Sequence, residues 1–326
     1  MHVTQNRQNL QHLATMAILL PALASVSGCQ SMQRFRTTKD AHAPVSPRAL
    51  SIDHVTIAGA SLAQLQEAFA TAGLTAEYGG AHSNGVTHMA LLGFDDGSYI
   101  ELISTISAEQ RNIPIWKEHI VRDGGPCGWA ARCDDVAGEL KRLAAAGLAV
   151  QGPFAGSRQR PDGQTAAWNL GFVGDQPPGA VLPFIIEDTT PRQNRVQPSR
   201  SVAGSELQGV ALVVIGVSDL PESISLYRKA YDWPAPWIRE DQEFGARLAH
   251  FLGTPVVLAV PASADNWLAK RIERFGESPC ALLIRTSNFP TTARRFGLDW
   301  TTPWFGRLVA WFDPADLNGT RLGLIE

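Results

Sequence analysis

The sequence lacks several features that identify common classes of protein. It has no G-x-S-x-G, no phosphate-binding loop and no H-E-x-x-H, so no serine-hydrolase, P-loop or zinc-protease motif is present. Its 326 residues carry a formal net charge of −3, and there is no long basic segment. A mildly acidic chain without such a segment gives no reason to expect a nucleic-acid partner.

Cysteine is scarce as well. Apart from Cys29, the chain contains Cys127, Cys133 and Cys280. Three cysteines cannot all pair internally, and their spacing matches no zinc-binding pattern. Cys127 and Cys133 lie in one predicted strand, too far apart along it to bond to each other. We expect buried free thiols, with a bridge from either residue to Cys280 as the alternative in an oxidising compartment.

The apolar stretch near the N-terminus is short. Residues 13–31 read LATMAILLPALASVSGCQS, too short and too weakly flanked for a spanning helix but typical of a secretory signal. The ending VSGC resembles a bacterial lipobox, which implies cleavage before Cys29 and lipid attachment to its sulfur. We therefore expect a lipoprotein anchored in the cell envelope and facing the periplasm. An ordinary signal peptide is the alternative.

Polar, proline-containing stretches divide the rest of the chain. The predicted organisation is a signal peptide (1–28), a tether (29–49), a first domain (50–190), a linker (191–206) and a second domain (207–326). A chain of this length can bury one large core or two medium ones.

A single pattern occurs four times after the tether. SIDHVTIAG alternates as a strand, SLAQLQEAFATAGL follows as a helix that Ser61 caps, and THMALLGF and YIELIS are further strands. The same order returns from GWAARCDD, from GVALVVIGVSDL and from ALLIRTS. The sequence therefore predicts an α+β fold built from βαβββ modules.

Five stretches resemble the glyoxalase-like branch of the vicinal oxygen chelate superfamily. They are DHVTIA, GGAHSNGVTHMALL, GSYIELIS, PFAGSRQRPDGQTAAWNLGF and LPFIIED, within residues 51–188. The resemblance implies that two modules curl into one cupped sheet and that two such domains stand in tandem. It also implies that histidines of first strands and glutamates of last strands meet a divalent metal inside the cup.

Carried over residue by residue, the resemblance gives an incomplete metal site. His54 holds the first-strand position and Glu101 the last-strand position of module one, and Glu187 best matches the last strand of module two. The expected histidine of module two falls on Gly128, which cannot bind a metal. We therefore expect His54, His88 and Glu101 as metal ligands, and Glu101 or Glu187 as the catalytic carboxylate.

Imidazole and carboxylate ligands suit zinc, manganese, iron or nickel and do not choose among them. The missing histidine leaves a site without any metal as the alternative.

Other residues around the expected cup suit a small-molecule substrate. Arg158 and Arg160 precede a Pro-Asp-Gly turn, and arginine pairs with carboxylates or phosphates through two parallel hydrogen bonds. Two further substrate-binding candidates are Trp168, on the strand after this turn, and His82, in the loop before the strand THMALLGF.

The second half has no comparable set of metal ligands. Counted from its strands, its expected ligand positions fall on Leu212 and Gly323. We expect this half to be a ligand-free partner of the first.

The predicted function is a metal-dependent lyase or isomerase acting on a small oxygenated, possibly anionic, substrate held through neighbouring oxygens. Two alternatives remain: a metal-free protein that sequesters a small molecule in the same cup, and an extradiol-type dioxygenase. The sequence also leaves a homodimer open.

Overall fold

The strands and helices follow the predicted order closely. The computed structural model describes residues 48–110 and 112–326. The elements of the first half are β1 (Ser51–Ala58), α1 (Leu62–Thr71), β2 (Glu77–Ala81), β3 (Thr87–Gly93), β4 (Tyr99–Thr105), α2 (Lys117–Val121), β5 (Gly125–Arg132), α3 (Val136–Ala145), β6 (Val150–Gln159), β7 (Thr165–Val173), β8 (Phe184–Asp188) and α4 (Arg192–Arg195).

The second half repeats this order. Its elements are β9 (Leu207–Gly216), α5 (Leu220–Tyr231), β10 (Trp237–Asp241), β11 (Ala246–His250), β12 (Val256–Pro261), α6 (Trp267–Phe275), β13 (Ser278–Thr286), α7 (Phe289–Arg295), β14 (Thr302–Trp304), β15 (Arg307–Trp311), a 3-10 helix (Pro314–Leu317) and β16 (Arg321–Ile325).

Each half forms one curled eight-stranded sheet. The first sheet has the order β2-β3-β4-β1-β5-β8-β7-β6, and the second has the order β10-β11-β12-β9-β13-β16-β15-β14. In the first sheet β1 runs parallel to β4 and antiparallel to β5, and β5 runs parallel to β8. The prediction of two tandem pairs of βαβββ modules is confirmed.

Local sequence explains where the helices begin. Ser61 accepts a hydrogen bond from the backbone N of Gln64 and caps α1, and Asp135 does the same for α3 through Gly138. These caps satisfy backbone donors that a helix start leaves unpaired.

The convex faces of both sheets share one hydrophobic core. It contains Leu65 of α1, Leu140 of α3, Tyr227 of α5 and Phe251. The hydroxyl of Tyr227 donates a hydrogen bond to the backbone O of Val181 at 2.6 Å, which ties the two halves together. All described residues belong to one compact unit.

The concave faces differ. In the second sheet the face is filled by its own cluster, which includes Leu212, Phe244, Leu283 and Trp304. A Cβ at Gly323 would lie 2.6 Å from Leu283. Both expected ligand positions of this half are therefore taken up by core packing, while the first sheet keeps a cavity.

The predicted linker is packed against the first half. Residues 191–206 contain α4, in which Arg195 is only 2% exposed, and Ser199 and Val202 are also buried. The polar composition indicates an exposed tether, but these polar groups are paired with buried partners. This corrects our interpretation of the segment as an open linker.

Cys127, Cys133 and Cys280 are free thiols in the structure. No helix within 48–110 or 112–326 is both long and apolar enough to cross a membrane. The predicted signal peptide, Cys29 and most of the tether lie outside the described residues.

Candidate active site

A cavity of about 270 Å³ opens on the concave face of the first sheet. Its wall is mainly apolar and aromatic, with Trp168, Phe172 and Phe184 among the lining side chains. Polar side chains also reach it, and among them His54 and His82 lie beside Glu101. A mostly apolar cavity with a few convergent polar groups is the usual form of a small-molecule site.

Glu101 reaches this cavity because of strand alternation. In β4 the side chains of Tyr99, Glu101 and Ile103 face the cavity, whereas Ile100 and Leu102 enter the shared core. Glu101 pairs with Thr56 across β1 and is 6% exposed. The sequence pattern predicted this division of faces.

Three neighbours surround the buried carboxylate. Thr56 Oγ1 donates a hydrogen bond to Glu101 Oε2 at 2.8 Å, His82 Nε2 lies 3.3 Å from Oε1, and His54 Nε2 lies 3.7 Å from Oε2. Burial alone would raise the pKa of Glu101, but the hydrogen bond from His82 and the charges of both imidazoles lower it to about 2. Glu101 is therefore ionised over the physiological range.

His54 is held in one tautomer by Asp53. The Nδ1 of His54 lies 2.7 Å from Asp53 Oδ1, and an ionised carboxylate can only accept a hydrogen bond. Nδ1 therefore carries the proton, and in the neutral ring Nε2 is left with its lone pair. Tyr99 stacks on the imidazole with ring centroids 4.6 Å apart, which fixes its plane.

Asp53 and His54 are neighbours in β1, where successive side chains normally point to opposite faces. Their side chains contact each other because the strand is irregular at this point. The pairing of β1 with β5 shifts register between Ile52 and His54, as in a β-bulge, so Asp53 has no paired residue. Such an extra residue re-aims the side chains beside it.

Asp53 is the centre of a buried charge network. Arg195 donates to both carboxylate oxygens of Asp53 at 2.7 and 2.8 Å, and Arg192 donates to Oδ2. Burial would raise the pKa of Asp53, but Arg195 and His54 hold it well below its usual range. Asp188 accepts further bonds from both arginines. No sequence pattern singles out Arg192 or Arg195, since both lie in the predicted linker.

His82 is fixed from the opposite side. It follows β2, and its Nδ1 lies 2.9 Å from Thr87 Oγ1, which leaves Nε2 directed at Glu101. His82 also forms an isolated bridge with Arg158 of β6. The two ends of the curled sheet meet at this bridge.

Arg158 lines the cavity and is 4% exposed. It donates hydrogen bonds to the backbone O of Gly79 and of Arg195. Among the described residues no carboxylate lies within ion-pair distance of its guanidinium group. Arg158 and Trp168, the predicted substrate-binding residues, both line the cavity, and their role stays a prediction.

Three predicted site residues lie elsewhere. His88 projects to the other face of β3, where it packs edge-on against Tyr78, because Thr87, Met89 and Leu91 take the cavity face. Arg160 forms an ion pair with Asp162 at 3.0 Å outside the cavity.

Glu187 accepts a hydrogen bond from the backbone N of Val136 at 3.1 Å, at the start of α3. In β8 the cavity side belongs to Phe184 and Ile186. The expectations of a metal ligand at His88, a substrate contact at Arg160 and a catalytic Glu187 are corrected accordingly.

The profile of the glyoxalase-like domain family matches residues 52–231. The chain belongs to this family. No curated protein matches the sequence.

Among solved structures, a hypothetical protein from Staphylococcus aureus is 14% identical with a TM-score of 0.55, covering 84% of this chain and 98% of that one. A variant of 4-hydroxymandelate synthase from Streptomyces coelicolor is 13% identical with a TM-score of 0.56, covering 86% and 92%. Methylmalonyl-CoA epimerase from Mycobacterium tuberculosis is 21% identical with a TM-score of 0.34, covering 38% and 91%. At these identities the first two likenesses show a shared fold and nothing more.

The resemblance to the vicinal oxygen chelate superfamily implies a divalent metal bound by both modules, and the residues present do not fit that arrangement. The position opposite Thr56 in β5 is Gly128, and a Cβ there would lie 2.6 Å from the Trp116 ring. The cavity side of β8 carries Phe184 and Ile186. Module two therefore has neither a ligand nor space for one at Gly128. Over 48–110 and 112–326, no three His, Cys, Asp or Glu side chains are grouped to hold a metal ion.

Proposed function

We propose that the cavity of the first sheet catalyses proton transfer on a small substrate that carries a carboxylate beside a carbonyl group. This is isomerase or lyase chemistry, as the sequence predicts. The observation that carries the proposal is the convergence of His54 and His82 on the buried, ionised Glu101 inside an apolar cavity.

His54 is the proton acceptor in this proposal. Its Nδ1–H is donated to Asp53, so the lone pair on Nε2 is available to a substrate C–H. The proton moves from a carbon next to the carbonyl to Nε2, and the electron pair of the broken bond moves onto the carbonyl oxygen to give an enolate. Glu101, 3.7 Å away, stabilises the imidazolium that forms.

The outcome depends on where the proton returns. Return to the same carbon gives epimerisation, and return to a neighbouring atom gives isomerisation. Departure of a β-substituent with its bonding electrons gives elimination, which is the lyase reaction.

Arg158 and the apolar wall select the substrate. The guanidinium group is buried beside the cavity without a carboxylate partner among the described residues, so a substrate carboxylate would complete its charge pairing. The surrounding aromatic side chains exclude water, which strengthens this attraction. About 270 Å³ restricts the site to a small molecule.

We leave metal-dependent chemistry and the extradiol dioxygenase reaction out of the proposal. Both need a ligand set that the Gly128 position and the Phe184 side of the cavity do not provide. Elemental analysis of the purified protein tests this choice, and a stoichiometric transition metal would contradict it.

Hydrogen–deuterium exchange tests the catalytic proposal. In D₂O the wild-type protein should accelerate exchange at C3 of small 2-oxo acids such as 2-oxobutanoate, followed by NMR. His54→Gln should slow the catalysed rate about 100-fold or more, the usual contribution of a general base. His88→Gln is the matched control, because this histidine lies on the opposite face of the sheet, and it should retain the wild-type rate.

A sequestering protein is the second candidate, and the mainly apolar cavity wall favours it. Saturable binding of a 2-oxo acid with no exchange above the buffer rate would support sequestration and contradict the enzyme.

We also propose that the protein is exported and anchored to the envelope membrane through Cys29. The VSGC sequence carries this proposal. Association with a second copy stays a prediction, which the molar mass in solution tests.

A further inference from the structure

A second cavity of about 570 Å³ lies between the start of β1 and the second half of the chain, where residues of β9, β13 and β15 line it. It is separate from the cavity that contains Glu101, and no lining residue is common to both. Three arginines, Arg132 of β5, Arg285 of β13 and Arg307 of β15, line it together with Asp96.

The arginines outnumber the carboxylates at this cavity. Arg285 lies 3.7 Å from Asp96 Oδ2, while Asp96 Oδ1 accepts hydrogen bonds from the backbone and hydroxyl of Ser98. Arg132 donates to the backbone O of Asp96 and lies 3.7 Å from Asp53, which already pairs with Arg192 and Arg195. The cavity is therefore lined by one carboxylate and three guanidinium groups.

Arg307 has no partner of its own among the described residues. No hydrogen bond or ion pair from its guanidinium group is formed there, and Glu326 acts on it only from beyond ion-pair distance. Burial and the charge of Arg285 lower the pKa of Arg307. Two guanidinium groups that line the same cavity repel each other, and a bound anion would offset this repulsion.

The rest of the wall suits an organic body. Phe305 and His250 lie with ring centroids 5.0 Å apart, and Leu212 and Pro255 add apolar surface. The volume is far larger than one phosphate or carboxylate group requires.

We propose that this cavity binds a small organic anion whose phosphate or carboxylate group pairs with Arg285 and Arg307. Planar guanidinium groups pair with both kinds of oxyanion through parallel hydrogen bonds. This inference does not depend on the chemistry proposed for the first sheet.

Calorimetric titration of the full-length protein at low ionic strength tests the proposal, with inorganic pyrophosphate and citrate as separate probes. At least one probe should bind, and Arg307→Gln and Arg285→Gln should each weaken its binding about tenfold. Binding of pyrophosphate alone assigns a phosphate ligand, and binding of citrate alone assigns a carboxylate ligand.

Arg294→Gln is the charge-matched control. Arg294 is exposed on α7 and does not line the cavity. It should bind either probe within twofold of wild type. Absence of binding at millimolar concentrations of both probes, or an equal loss in Arg294→Gln, would overturn the proposal. Melting temperatures show whether the variants fold. If Arg307→Gln does not fold, Arg285→Gln alone tests the proposal, because Arg285 is exposed.

Discussion

Glu101 shows how single residues determine the properties of the site. A carboxylate that is 6% exposed would ordinarily be neutral, yet His54, His82 and Thr56 keep it ionised. The contacts of Glu101 with Thr56, His54 and His82 therefore contribute to stability as well as to the proposed chemistry.

Replacing Glu101 by Gln should test this stability contribution. The folded-state pKa of about 2 lies below the ordinary 4.5, so the contribution is present above about pH 4.5 and is lost as the pH falls towards 2. A shift of this size corresponds to about 3 kcal/mol at neutral pH. Glu101→Gln should lose about that much unfolding free energy at pH 7, measured by urea denaturation, and much less at pH 3.

The control for this variant is Glu187→Gln. It makes the same replacement of a carboxylate by an amide, but near the end of β8 and outside the cavity. It weakens one hydrogen bond, so the expected loss is about 1 kcal/mol. If Glu101→Gln is as stable as wild type at pH 7, Glu101 is a neutral acid and the proposed role for it fails.

Asp53 is expected to act on the reaction through His54. In Asp53→Asn the amide can donate to Nδ1, so the proton is no longer held there. The exchange rate of 2-oxo acids should fall, and the ¹⁵N shifts of the His54 ring should report the change of tautomer. Loss of the pairing with Arg195 should also cost roughly 3–5 kcal/mol of stability.

Asp162→Asn is the matched control for Asp53. Asp162 forms an exposed ion pair with Arg160, and such pairs contribute at most about 1 kcal/mol. Unchanged ¹⁵N shifts in Asp53→Asn would contradict the positioning role.

Strand alternation explains which site residues the sequence could predict. The pattern of β4 places Glu101 with Tyr99, and this prediction is confirmed. The same parity applied to β3 separates His88 from Met89, but the sequence alone does not say which set faces the cavity. In β8 the same uncertainty placed Glu187 in the site, whereas Phe184 and Ile186 face it.

The environment of an element is hard to predict from sequence when its partners lie far away along the chain, as they do for α4. Arg195 and Asp53 are 142 positions apart, and nothing in the local composition of α4 indicates that its arginines are buried. A polar segment is ordinarily exposed, so the composition of 191–206 predicts a linker. The module repeat, by contrast, is a local periodic signal, and it predicts the fold.

The charge network predicts that α4 resists proteolysis. Because Arg195 anchors the segment to Asp53 and Asp188, the described part of the chain should not be cut between residues 192 and 202 under mild conditions. Arg195→Met should expose this stretch, and mass spectrometry of the fragments should locate the new cuts. Arg200→Met is the control, since its side chain is 99% exposed. Rapid cleavage of wild type at 192–202 would instead support an open linker.

At the scale of the whole molecule, the two halves use the same fold differently. Core side chains fill the concave face of the second sheet, while the first sheet keeps its cavity. The shared core on the convex faces makes the second half a support for the first. Any catalysis at the Glu101 cavity is therefore expected to depend on both halves remaining folded together.

The location of the molecule in the cell is tested at Cys29. If the VSGC sequence is a lipobox, the mature chain begins at Cys29 and carries more than one acyl chain, which is enough for stable anchoring, whereas a single chain is marginal. Cys29→Ser removes the sulfur that would accept the lipid, so the protein should pass to the soluble fraction or remain unprocessed. Cys133→Ser is the control, because this residue is a free, half-buried thiol in the first half. Membrane fractionation and the intact mass distinguish these outcomes, and unchanged membrane association of Cys29→Ser would contradict the lipid anchor.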